Sequence, residues 1–171
     1  MSHEAIGLRR YKDSKGIWTI GVGITSAAQA SINPLTFLGT ITAAQAVDLF
    51  HEVLPKYEAI VDRLLDGLKV KQHEYDALVS LAFNAGNINK PMTRSLARQG
   101  RIAEAIDLWR ADKILWPRRN KEVKLARTGV YHAKYVTSYD ANEHGIINRR
   151  SGKRIPVSDL MVGGGGGGGS W

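Results

Sequence analysis

There is no cysteine anywhere in the 171 residues. That excludes disulfides, thiolate nucleophiles and cysteine-based metal centres, and it leaves the fold indifferent to redox compartment. Long apolar runs are missing as well. None approaches the roughly 20 residues that span a bilayer. The N-terminus, MSHEAIGLRR, is charged where a secretory signal would be apolar. We therefore expect a soluble chain with neither signal peptide nor transmembrane segment. His132 and His144 stand alone, and no zinc-ligand spacing occurs; no metal and no cofactor are expected. Acidic residues are scarce in one region only. Residues 1–112 hold 13 Lys and Arg against 12 Asp and Glu, whereas residues 113–171 hold 11 against 4. Nearly all of the net +8 charge thus sits in the C-terminal third. A field of that kind concentrates polyanions: nucleic acid, anionic lipid, or the acidic polymers of a bacterial envelope. No recognition-helix or RNA-binding signature accompanies it, which argues against nucleic acid.

The hydrophobic content of 43% is enough for a real core. Residues 3–10 carry a brief helical pattern, with Ile6 and Leu8 on one side and Arg9 and Arg10 on the other. Tyr11 to Gly16 reads as a turn. IWTIGVGI, residues 17–24, is rich in strand formers and broken by Gly21 and Gly23, so a small hairpin sheet is expected there. Residues 25–40 read as an irregular connection. From Thr42, a good N-cap, Val47, Phe50, Leu54, Tyr57, Val61, Leu64 and Leu68 recur at helical spacing. Pro55 should kink that helix or split it. Further helices are expected at Gln72 to Ala85 with Gly86 as stop, at about 92–99, at 101–112, and from Pro117 to Arg127 with Gly129 after it. Beyond Gly129 the chain turns strand-like, with a turn at Ser151-Gly152 and a return strand near Lys153. The fold class is α+β: residues 1–129 as one domain, 130–162 as a basic extension with the makings of a β-hairpin, and 163–171, which begins with seven glycines, as a flexible tail.

The opening stretch places Glu4, Asp13 and Thr19 within the first twenty residues. Two carboxylates close together suit glycoside hydrolysis. One protonates the leaving oxygen, and the other steadies an oxocarbenium-like centre, activates water or attacks. A threonine on a facing strand could orient the water. As spacing alone, a solvated glutamate and a turn-forming aspartate account for the same residues.

The residues themselves add a resemblance. EAIGLRRYKDSKGIWTIGVG, from Glu4, is similar to the N-terminal signature of the phage-type lysozymes, glycoside hydrolase family 24, with its E-x8-D-x5-T frame. Glu4, Leu8, Tyr11, Asp13, Gly16, Thr19, Ile20, Gly21 and Gly23 fall on that frame without a gap. ALVSLAFNAG (77–86) and PRRNKEVKL (117–125) resemble two further blocks of the family in the right order. The resemblance implies a lysozyme-like fold and a muramidase of endolysin type. Such an enzyme hydrolyses the β-1,4 bond between N-acetylmuramic acid and N-acetylglucosamine in bacterial peptidoglycan, and so serves bacteriophage-driven host lysis. It implies Glu4 as general acid, Asp13 as second carboxylate, Thr19 as the residue that holds the water, and Asn84 and Arg119 on the substrate side, with Arg119 against the catalytic glutamate. It also implies a monomer held in the host cytoplasm until release, acting in the periplasm or wall. Two positions depart from the pattern. Ile24 stands where a histidine is usual, and Ala5 stands for the common glycine.

Read as a helix, residues 3–10 raise a conflict. Glu4 would sit in the first turn, where the macrodipole favours its anion, while a general acid wants the proton. Two other functions fit parts of the sequence. One is a non-catalytic cationic protein that binds walls or disrupts membranes through the basic C-terminal third. The other is a lytic transglycosylase, which Asp13 argues against. Tyr131, Tyr135 and Tyr139, interleaved with Lys134, Arg149, Arg150, Lys153 and Arg154, could meet anionic envelope polymers or lipid headgroups, or simply pack as half-buried tyrosines on the main domain.

Overall fold

The computed structural model describes residues 5–131, 134–157 and 159. Glu4, His132 and the glycine-rich 163–171 lie outside the described residues. The chain divides into two compact units, and the division falls between Val53 and Leu54.

The first unit is built on a five-stranded sheet in the order β3-β2-β1-β4-β5. Its strands are β1 (Ala5–Lys12), β2 (Trp18–Gly21), β3 (Ile24–Thr25), β4 (Tyr135–Ala141) and β5 (Ile147–Pro156). The helical expectation for residues 3–10 is corrected: from Ala5 onward this is a strand. The pattern that suggested a helix was only two apolar residues long, and non-local pairing overrides it. β1 pairs antiparallel with β2 on one side and parallel with β4 on the other, so both of its edges are satisfied. The macrodipole conflict disappears with the helix, because no helix begins at Ala5.

The basic C-terminal segment supplies β4 and β5, which form an antiparallel hairpin. Its turn is not at Ser151-Gly152, as the sequence suggests, but at Asn142–Ile146. The Asn142 side chain accepts from the His144 and Ile146 amides at 3.0 and 2.9 Å, the side-chain mimic of a turn that favours Asn. Gly145 takes φ 80°, a conformation costly to other residues. A Cβ there would lie 2.4 Å from the Trp18 ring. Ser151 and Gly152 run on within β5.

The helix α1 (Ala43–Leu65) starts with a reciprocal cap. Thr42 Oγ1 accepts from the Gln45 amide at 3.1 Å, and Gln45 Oε1 accepts from the Thr42 amide at 2.8 Å, a capping box. The expected split at Pro55 does not occur. The proline removes one backbone bond, but Val53, Tyr57, Ile60 and Val61 on either side of it stay buried, and that burial sustains one helix. Within the first unit, Ile6, Ile20, Ile24, Ala46 and Val136 are wholly buried.

The second unit holds the rest of α1 and four helices: α2 (Gln72–Ala85), α3 (Pro91–Arg98), α4 (Ile102–Asp107) and α5 (Trp116–Thr128). Leu64, Leu78, Leu81, Ile88, Ile102 and Ile106 form its core. Helix α4 is shorter than the periodicity of 101–112 suggests. Past Asp107 the Trp109 carbonyl accepts from Arg119 Nε at 3.0 Å, and its indole donates to Thr93 at 3.1 Å. These side-chain bonds replace the helical ladder.

Candidate active site

In the first unit, Asp13 and Thr19 are organised around one residue, Ile17. The Asp13 amide donates to the Ile17 carbonyl at 3.0 Å. The Ile17 amide in turn donates to Asp13 Oδ1 at 2.9 Å, and the Lys15 amide donates to the same oxygen at 2.8 Å. The turn closes because the Gly16 amide donates to the Asp13 carbonyl at 2.9 Å, with Gly16 at φ 74°. The carboxylate is thus oriented through one oxygen, and its Oδ2 has no hydrogen-bond partner among the described residues. Thr19, on β2 between β1 and β3, is 3% exposed and donates its hydroxyl proton to the Ile17 carbonyl at 3.0 Å. With the proton so placed, only lone pairs remain on Oγ1. Glu4 lies outside the described residues; it is joined in sequence directly to Ala5, the first residue of β1.

In the second unit, Asn84 and Arg119 are brought together. Arg119 on α5 is 1% exposed. Its Nη2 donates to Asn84 Oδ1, its Nη1 to Glu122 Oε2, and its Nε to the Trp109 carbonyl. Glu122, also 1% exposed, accepts from Ser80 Oγ at 2.7 Å and lies 3.8 Å from Arg118 Nε. Burial pushes the Glu122 carboxyl above its ordinary value, and the attraction of Arg119, the Ser80 bond and Arg118 oppose that without cancelling it. Glu122, Ser80 and the Trp109 carbonyl were not singled out by the sequence. The signal was present in the RRNKE spacing, because residues three apart on a helix meet. The Asn84 side chain is engaged through Oδ1, and its amide nitrogen donates no hydrogen bond among the described residues.

The model of the family described as phage lysozyme matches residues 1–123. The chain belongs to the phage lysozyme family. Among curated members, it is similar to the endolysin of Salmonella phage P22, with 37% identity over 124 residues, spanning 67% of this chain and 83% of that endolysin. Among solved structures, a single-substitution mutant of P22 lysozyme superposes with a TM-score of 0.60 at 34% identity, covering 73% of this chain and 90% of that one. The muramidase domain of SpmX from Asticaccaulis excentricus follows at 0.57 and 25% identity, covering 73% and 89%. The active form of the P1 phage endolysin Lyz, at 19% identity and a TM-score of 0.57 over 73% and 78%, shares the fold.

Membership in the phage lysozyme family gives the departure at Ile24 a setting. Ile24 is wholly buried and pairs with Ile20 across β2 and β3, so an apolar contact fills the position. The hairpin of β4 and β5 lies beyond the part of the chain that the phage lysozyme model matches. No helix among the described residues is long and apolar enough to cross a membrane.

Proposed function

We propose that this protein is a muramidase that cleaves the β-1,4 bond between N-acetylmuramic acid and N-acetylglucosamine in bacterial peptidoglycan during phage-driven lysis. Membership in a family of peptidoglycan hydrolases supports the reaction class. The observation that carries the finer reading is the Asp13–Ile17–Thr19 arrangement. In this reading Glu4 donates a proton to the glycosidic oxygen as the bond breaks. The free Oδ2 of Asp13 faces the positive charge that develops at the anomeric carbon. Thr19 holds the water through its lone pairs, so that the water's oxygen stays available to the carbon. The Asn84 amide donates to a sugar substituent. Arg119, held by Glu122, Asn84 and the Trp109 carbonyl, acts by keeping Asn84 in place.

The test is turbidity clearing of purified cell walls by Glu4→Gln. Loss of a general acid lowers the rate about 10²–10⁴-fold. Clearing at the parent rate would reject Glu4 as the acid. Mass spectrometry of the products decides the reaction type: reducing ends support hydrolysis, and anhydro ends would assign a lytic transglycosylase instead.

A further inference from the structure

We propose that strand β5 is a binding strip for the carboxylate-bearing peptidoglycan polymer, built into the same sheet as Thr19, with Asp13 in the β1–β2 turn of that sheet. The proposal rests on the muramidase reading for the identity of the polymer.

Strand β5 carries Arg149, Arg150, Lys153 and Arg154 and no acidic residue. It is the outer strand of the sheet, hydrogen-bonded only to β4. All four cations are exposed. Arg149, Arg150 and Lys153 form no ion pair among the described residues. Arg154 stacks its guanidinium 4.5 Å from the Tyr135 ring centroid. That contact orients the side chain while leaving its charge uncompensated. The two acids of the hairpin lie elsewhere. Asp140 is paired with Arg9 of β1 at 3.3 Å, and Glu143 sits at the turn beside His144.

Charged edge strands also protect sheets from pairing with one another. Lysine is the charge most used for that purpose, whereas three of the four cations here are arginines. What the single sign does create is a directional field for a polyanion. Between Asn148 and Lys153 the strand advances five positions while β4 advances two, so Arg149 and Arg150 stand on a bulge at the outer edge beside Lys153 and Arg154. Membrane binding needs apolar groups to insert, and no large apolar side chain on β5 is exposed; the exposed ones of the hairpin are Tyr135, under Arg154, and Ile146, in the turn. The polymer that a muramidase meets is anionic through the free carboxylates of its stem peptides. The strip is fixed to the catalytic sheet through the pairs Ala5–Thr137, Ile6–Ser138 and Gly7–Tyr139, and through the Lys12 amide donating to the Gly145 carbonyl at 2.9 Å.

The test compares the full chain with a variant carrying Arg149→Gln, Arg150→Gln, Lys153→Gln and Arg154→Gln. A milder Arg149→Gln/Lys153→Gln pair is carried alongside, and thermal unfolding checks the fold of each. Binding is read by co-sedimentation with insoluble peptidoglycan that acid has stripped of secondary polymers, in a Glu4→Gln background so that cleavage does not intervene. The expected result is about tenfold weaker sedimentation for the four-site variant at low salt, with the difference vanishing at high salt. In the active background the KM on walls rises, while turnover of an uncharged chitooligosaccharide is unchanged. Equal sedimentation of folded variant and parent at low salt, or a loss indifferent to salt, overturns the proposal. So does a loss seen on phosphatidylglycerol vesicles but not on walls. If the parent sediments in this salt-dependent way yet cleaves nothing, the muramidase reading fails and the strip stands.

Discussion

The two units hold a buried or half-buried carboxylate each, and they treat it oppositely. Asp13 sits in a turn, tied by two backbone amides to one oxygen, with the other left open. Glu122 sits in a helix packing core, with both oxygens engaged by Arg119 and Ser80 and burial raising its pKa. The backbone arrangement orients a carboxylate and leaves it something to do. The side-chain arrangement uses its carboxylate up. Residue type alone does not separate these two carboxylates; the number of uncommitted lone pairs does.

The sharpest way to break this comparison is Glu122→Leu. It leaves Arg119 charged, buried and short of its acceptor, and should destabilise the protein by about 3–5 kcal/mol, read by denaturant unfolding. Asp13→Ala should do the reverse. Activity on walls should fall about 10²–10³-fold, the scale of losing one preorganised electrostatic group, while the unfolding midpoint moves little. If Asp13→Ala unfolds the protein instead, the turn aspartate is structural and the contrast fails. Gly145→Val tests how firmly the hairpin is seated. It forces a side chain into Trp18 at a positive φ and should cost about 1–3 kcal/mol, with unfolding again the measurement.

The smallest effect is expected from Glu122→Gln, and it carries a sign. A raised carboxyl pKa means that the folded state binds the proton more tightly than the unfolded chain. That stabilisation is fully present below the unfolded value of about 4.3. It is lost as pH rises through the folded value. Glutamine keeps an acceptor for Arg119 but carries no charge, so Glu122→Gln should cost less stability at neutral pH than Glu122→Leu does. It should also flatten the decline of stability across mildly acidic pH. A large loss at neutral pH would mean that the ionised pair with Arg119 dominates.

Much of the helical unit was legible in advance. The α2 and α5 boundaries follow from apolar spacing and from Gly86 and Gly129, because helices are stabilised by contacts within one stretch of chain. Thr42 announced its cap for the same reason. What misled was non-local. The opening segment read as helix because nothing near it in sequence reveals that β4, some 130 positions later, pairs with it. The hairpin turn was placed at Ser151-Gly152 by composition, whereas packing of Gly145 against Trp18 decides for Asn142–Ile146. The spacing of Asp13 and Thr19 was visible, but their common dependence on the Ile17 peptide was not. That dependence is a matter of backbone hydrogen bonds.

By itself, then, the sequence determined the class of the fold, the family frame, the helices and the charge imbalance, all of them properties of local pattern and composition. Only the tertiary structure decided that the basic C-terminal segment joins the sheet of β1 and β2, that its cations line one outer strand, and that Arg119 meets Asn84 and Glu122 meets Ser80 in a closed core. Each of these depends on which distant segments satisfy one another's backbone and charge, and no local pattern encodes that.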